Sequence, residues 1–207
     1  MAQIYYYILA VDDGFAPCVD NEVLTLAICK PAIRRTADEG DWMIGISPKE
    51  DGHKLCYAAQ VTRKIPGQKY YTQKMFLERG DCIYSFDGTR FSLRKRRRVH
   101  TEADKKRDLG RFHTYQNAFV LKISRRSFWY YGNNARSISP TQYPALNHRL
   151  NYLQQGHRVR HSPAVHKELL AIISWLRRRK PGVHGNPRNP PSRVSHDSTC
   201  SKHHGVC

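Results

Sequence analysis

The chain has 207 residues, 40 % of them apolar, and carries 35 Lys and Arg against 17 Asp and Glu, a formal charge of +18. This length fits one domain with appendages or two very small domains, and it supplies ample material for one core. No stretch reaches the roughly 18–20 apolar residues of a membrane span, and MAQIYYYILAVDDG lacks the basic n-region of a signal peptide, so a cytoplasmic protein with reduced cysteines is expected.

Residues 4–11 (IYYYILAV) form an apolar, aromatic run that stops at Asp12-Asp13-Gly14, which predicts a buried strand and a turn. Residues 24–37 (LTLAICKPAIRRTA) are ambiguous as far as Pro31, which disfavours helix at Lys30; a helix can begin at or after Pro31 and run to about residue 37. That reading puts Arg34 and Arg35 on one short, exposed turn. Gly40-Asp41 precedes a strand at 42–46, and another is expected at 55–61 with Leu55, Tyr57, Ala59 and Val61 on one face. Residues 70–77 suit a short helix, Gly80-Asp81 introduces an apolar run at 82–86, and residues 90–111 read as a charged insertion. Strands at 118–123 and 127–132 follow. The clearest helix spans 163–179, with Ser162 as N-cap, Pro163 in the first turn and Val165, Leu169, Ile172, Ile173 and Leu176 on one face. From Pro181 the chain turns polar and Pro/Gly-rich, so a domain over 1–190 and a disordered basic tail over 191–207 are expected. The sum is an α+β fold with a small, mixed, barrel-like sheet and a C-terminal helix.

Charge is segregated along this order. Residues 1–89 hold 10 basic against 12 acidic side chains, and residues 90–207 hold 25 against 5. The densest run is Arg94-Lys95-Arg96-Arg97-Arg98, followed by Lys105-Lys106-Arg107. A balanced half joined to a cationic half predicts a basic face offered to a polyanion. Nucleic acid is the commonest such partner, because each neutralised phosphate releases counterions. These residues, with Arg35, are the expected phosphate contacts.

The sequence holds no Gly-rich phosphate loop, no Gly-x-Ser-x-Gly elbow and no His-Glu-x-x-His. The tail series His196, Cys200, His203, His204 and Cys207 offers metal donors without two clean ligand pairs, so neither a metal nor a cofactor is expected. Trp42, Tyr57, Phe128, Trp129, Tyr130 and Tyr131 fall on strands, where aromatics are usually core. One or two of them beside a basic groove would stack on a base, with Asp13, Lys30, Arg34, Asp41 and Asp81 near strand ends as polar partners for its edge. Pro31 and the Gly40-Asp41 turn suggest that Lys30, Arg34, Asp41 and Trp42 surround one cleft, with Tyr57 or Tyr131 on its wall. Asp41 and Asp81 equally suit turn caps.

The motifs DDGFAP (12–17), LTLAICKPAIRRTA (24–37), GDWMIGI (40–46), LCYAAQVT (55–62), GDCIY (80–84), SFWYYG (127–132) and GVHGNP (182–187) occur in that order. On them the sequence resembles the nucleotide modification associated domain 2 family of phages and bacteria, over about residues 3–190. The resemblance implies association with systems that make, handle or respond to modified DNA bases, and so DNA rather than RNA, or a nucleotide, as partner. The Gly-Asp-Trp strand followed by YAAQVT is also similar to PUA-like barrels, which hold a modified base in an aromatic-walled pocket. Three readings follow: a reader of a modified base; an enzyme of base hypermodification using Asp13, Lys30 and Asp41 or Asp81, with the lysine activated by Arg34 and Arg35; and an accessory protein tethered by its basic tail.

Overall fold

Aromatic and branched runs cut by Gly-Asp, Asn and Pro turns form three sheets in the computed structural model, which describes residues 2–94, 100–153 and 156–190. In chain order the first half comprises β1 (Ile4–Ile8), β2 (Cys18–Asp20), β3 (Val23–Leu26), α1 (Pro31–Thr36), β4 (Trp42–Ile46), β5 (Leu55–Gln60), β6 (Arg63–Pro66) and α2 (Gly67–Tyr70). There follow β7 (Tyr84–Phe86), β8 (Phe91–Leu93), α3 (Glu102–Leu109), β9 (Phe119–Ser124), β10 (Phe128–Tyr130), α4 (Pro144–Asn151), β11 (His157–Arg158), α5 (Pro163–Arg177) and β12 (Gly182–Val183). A six-stranded sheet has the order β11-β1-β4-β5-β10-β12, a four-stranded sheet the order β2-β3-β9-β6, and β7 pairs with β8. The fold is thus mixed α+β with a C-terminal helix. Its sheets are open, and among the described residues none closes into a barrel.

The six-stranded sheet is covered on both faces, so its strands read as continuous apolar runs. One face sets Tyr6, Trp42, Ile44 and Trp129 against Leu146 and Leu150 of α4 and Leu169, Ile173 and Leu176 of α5. The other sets Tyr5, Tyr7, Met43, Tyr57 and Tyr130 against Leu24, Leu26, Leu121 and Ile123 of the four-stranded sheet. The α5 stripe and cap are as the sequence predicts: Ser162 Oγ accepts the Val165 N–H, and the five apolar positions are buried.

Two expectations need correction. The 90–111 stretch is not an appended insertion: Phe91 of β8 and Leu109 of α3 enter a third core with Tyr71, Tyr84 and Val120, and Thr101 and Asp104 form a capping box on α3. Its charges stand between core-forming residues. Leu55 also leaves the expected face, because a register shift between Gly45 and Ile46 pairs Ile46 with Leu55 and Gly45 with Tyr57. A bulge of this kind turns Leu55 toward the helices and Tyr57 toward the second sheet.

Gly45 decides what the second face can do. Tyr7, Gly45, Tyr57, Tyr130 and Val183 are successive partners across β1, β4, β5, β10 and β12. A Cβ on Gly45 would lie 2.3 Å from Tyr57 Cε1. The missing side chain lets Tyr57 lean across β4 until its hydroxyl meets that of Tyr7 at 2.6 Å. Gly45→Ala is therefore expected to destabilise the protein by about 1–3 kcal/mol, the usual cost of overpacking. Urea denaturation checks it, and an unchanged midpoint would contradict the close approach.

Candidate functional site

Pro31 fixes the start of α1, and the two residues before it take a rare shape. Cys29 and Lys30 have φ of 56° and 45°, consecutive left-handed positions without glycine. Arg34 holds this loop from behind. Its guanidinium is fully buried and donates from Nε to Cys29 O (2.7 Å), from Nη1 to Asn117 O and Phe119 O (2.9 and 2.8 Å), and from Nη2 to Asp108 O (2.8 Å). Nη2 also reaches Asp108 Oδ1 at 3.1 Å. The sequence reading exposed Arg34. The structure turns it inward, because one planar fork satisfies carbonyls from the α1 loop, the end of α3 and the start of β9. Arg35 points outward and reaches Asn117 Oδ1 at 3.3 Å.

Asp108 carries the polar chain onward. Its Oδ2 lies 3.1 Å from His100 Nδ1 and accepts the Tyr84 hydroxyl at 2.9 Å. His100 Nε2 lies 3.6 Å from Cys29 Sγ. Burial alone would lower the His100 pKa, but hydrogen bonds with Asp108 and Cys29 and the Asp108 charge outweigh it and push the imidazole up to about 10. Burial likewise works to raise the Asp108 carboxyl, and the Arg34 charge with His100 overrides it, leaving the carboxyl lowered. Arg34, Asp108 and His100 alternate in sign, and the series ends at the Cys29 sulfur.

Lys30 and Asp13 border this cluster. The Lys30 ammonium sits 5.0 Å from the centre of the Tyr7 ring, the end of the tyrosine row. Its pKa is lowered by burial, with Cys29 and Asp108 acting in the opposite sense; Arg34 and Arg35 are not the cause. Asp13 is half-buried, accepts the Phe15 N–H at 3.0 Å and is raised by burial, against which His100 acts. Its buried neighbour Asp12 accepts the Tyr130 hydroxyl at 2.7 Å.

The other expected pocket residues lie elsewhere. Trp42 is 3 % exposed and stacks on Trp129, 6.0 Å between rings, on the face covered by α5. Tyr131 belongs to that same core, whereas Tyr57 lies on the opposite face. Trp42 pairs with Gln60, three residues from Tyr57, so the pleat separates the two rings. Asp41 caps its turn, accepting the Gln3 and Asp38 N–H groups at 2.7 and 2.9 Å. Asp81 is fully buried and ties Thr25 Oγ1 (2.5 Å), the Tyr70 hydroxyl (2.6 Å) and Arg79 Nε (3.7 Å) together. No cleft is shared by Lys30, Arg34, Asp41 and Trp42.

The cations are also redistributed. Arg94 donates to the carbonyls of Tyr84 (2.7 Å) and Tyr71 (3.0 Å), a structural role in place of the expected phosphate contact. Lys95, Arg96, Arg97, Arg98 and the tail with His196, Cys200, His203, His204 and Cys207 lie outside the described residues. On α3, Lys105 pairs with Glu102 and Arg107 with Asp104, while Lys106 is exposed. An edge that the sequence did not single out is more cationic. A groove of about 250 Å³ at β12 is lined by Arg125, Lys180, Val183 and His184, with Glu22 as its acid, paired to Arg125. Arg126, Arg136, Arg177, Arg178 and Arg179 are also exposed: Arg136 and His184 lie against Tyr131, Arg177 over Trp42 and Arg179 over Trp175.

A family model described as nucleotide modification associated domain 2 matches residues 1–193. The chain belongs to this family. No curated protein and no solved structure matches it. For this nucleotide modification associated domain, sequence reading selected Lys30, Arg34 and Asp13 but missed Cys29, His100 and Asp108. Cys29 stands inside the motif LTLAICKPAIRRTA, beside a lysine and before a proline. His100 and Asp108 are 71 and 79 positions further on and look like parts of a basic run. Among six cysteines and eleven histidines the sequence does not mark this pair, and only the fold brings them together.

Proposed function

We propose that this domain binds a nucleic-acid strand, DNA in preference to RNA, within a system that modifies nucleotide bases. The β12 edge would hold the phosphates, and the surface around Lys30 and Asp13 would receive a base or nucleotide. The cation-lined groove at β12 carries this reading, because exposed cations on one edge neutralise successive phosphates without reading sequence. The tyrosine row supplies the connection. Lys30 covers Tyr7 at one end and Val183 closes the groove at the other, four strand spacings apart. At about 4.8 Å per spacing this is roughly 19 Å, within the span of a few nucleotides.

The test is a titration of fluorescent single-stranded DNA over a salt series. The triple variant Arg125→Ser, Arg126→Ser, Lys180→Ser is expected to lower the log–log salt slope by about 2–3 and affinity at least tenfold. Arg107→Ser, on α3 and outside the lining of the groove, should change little. An unchanged slope in the triple variant would remove this edge from the interface.

A further inference from the structure

We propose that Cys29 is a nucleophile whose sulfur adds to C6 of a pyrimidine base, with His100 carrying the proton and Asp108 and Arg34 as positioning residues. The inference goes beyond strand binding and takes from that reading only its substrate class.

Geometry carries the first half. Cys29 Sγ, the His100 ring and Asp108 stand in line at 3.6 and 3.1 Å, the nucleophile–base–orienter arrangement of covalent catalysis. Arg34 fixes both ends, binding Cys29 O and the Asp108 carboxylate. Proton transfer carries the second half. Arg34 and Asp108 form an ion pair at 3.1 Å, and the other oxygen of that carboxylate holds His100 by Nδ1, which leaves Nε2 toward the sulfur. The thiolate is the reactive form of cysteine, and the His100 ring, 3.6 Å from Sγ, is placed to take the thiol proton. Among the described residues the groups facing His100 are Asp108 and Asp104 of α3, Tyr84 of β7, Cys29 before α1 and Asp13 after β1. Cys18 and Cys56 are pushed up to about 12 by burial, as inert core thiols are.

The substrate class follows from what a nucleotide offers a soft sulfur. Its diester phosphorus is hard and anionic. The pyrimidine C6, conjugated to C4, is the electrophilic carbon. Addition joins Sγ to C6 and moves the C5=C6 electron pair toward C4. A proton from the imidazolium, directly or through water, then falls on C5. The neutral imidazole then takes either C5 proton as the thiolate is expelled and the double bond restored, so the cycle oxidises nothing and leaves only hydrogen exchanged at C5. Lys30 and Asp13, which border the cluster, would meet the polar edge of the ring.

Proton NMR in D2O reads this exchange with three probes: 2′-deoxycytidine 5′-monophosphate, 2′-deoxyuridine 5′-monophosphate and a single-stranded oligodeoxycytidylate. The full chain should wash out the C5–H signal of at least one. Cys29→Ala should abolish exchange, and His100→Gln should slow it on the order of 100-fold and alter its pH profile. Where Cys29→Ala does not fold, native protein alkylated at Cys29 by iodoacetamide, with the site located by peptide mass, takes its place. Exchange lost on alkylation supports the proposal. No exchange of any probe by folded native protein overturns it, as does exchange that survives loss of the Cys29 thiol. Strand affinity measured on the same samples separates the two readings: a tight binder without exchange keeps the binding role and refutes the nucleophile.

Discussion

Replacing Arg34 with methionine is expected to cost about 3–5 kcal/mol, the largest loss from any single position considered. The guanidinium is wholly buried and serves four carbonyls and one carboxylate. Methionine fills much of the volume but leaves Asp108 charged beside the imidazole alone, and strands the carbonyls of Cys29, Asn117, Phe119 and Asp108. Arg34→Lys should recover little, since one ammonium cannot follow a fork that reaches three segments. Chemical denaturation of both variants checks this. A methionine variant within 1 kcal/mol of the native protein, on the scale of the buried-pair costs above, would show that water replaces the guanidinium at little cost.

The second large effect is a fall in stability between pH 6.5 and about 10. His100 has an ordinary value of 6.5 and is pushed up to about 10 in the folded chain. Its contribution is fully present below 6.5, where both states are protonated, and is lost as pH rises through about 10. On the acid side the lowered Asp108 carboxyl contributes stability above its ordinary value of 3.8, lost as pH falls through its folded value. The two describe one ion pair and are counted once, on the order of 3–5 kcal/mol. Unfolding free energies of the native protein should therefore decline from pH 6.5 to 10. His100→Gln should flatten the decline, because the groups that titrate in both proteins cancel in the comparison. A native profile flat over that range would contradict a protonated buried imidazole.

Much of the fold was legible because alternation and punctuation are local. The strand at 42–46 and the start and apolar face of α5 lie where the pattern placed them, since Gly40-Asp41 and Ser162-Pro163 act on their neighbours alone. What failed depends on contacts distant in sequence. Nothing near Arg34 announces that the carbonyls of Asn117 and Phe119 await it. The bulge that reorients Leu55 arises between two strands, not within one. Trp42 was expected beside Lys30, Arg34 and Asp41 around one cleft because its strand begins at a turn, yet α5, more than 120 residues later, covers it. Of the candidate site, Lys30 and Asp13 were legible as polar residues at strand ends. The Cys29–His100–Asp108 series was not, because a triad is a property of folded space.

Photo-crosslinking of a single-stranded oligodeoxynucleotide carrying 5-iodouracil, followed by peptide mass spectrometry, tests the binding account most directly. The predicted crosslinks fall on residues 27–35, around Lys30, and on residues 125–136 and 177–184 along the β12 edge. Crosslinks that avoid all three segments, or competition by a polyanion without bases that removes every one of them equally, would contradict a site that holds both phosphate and base.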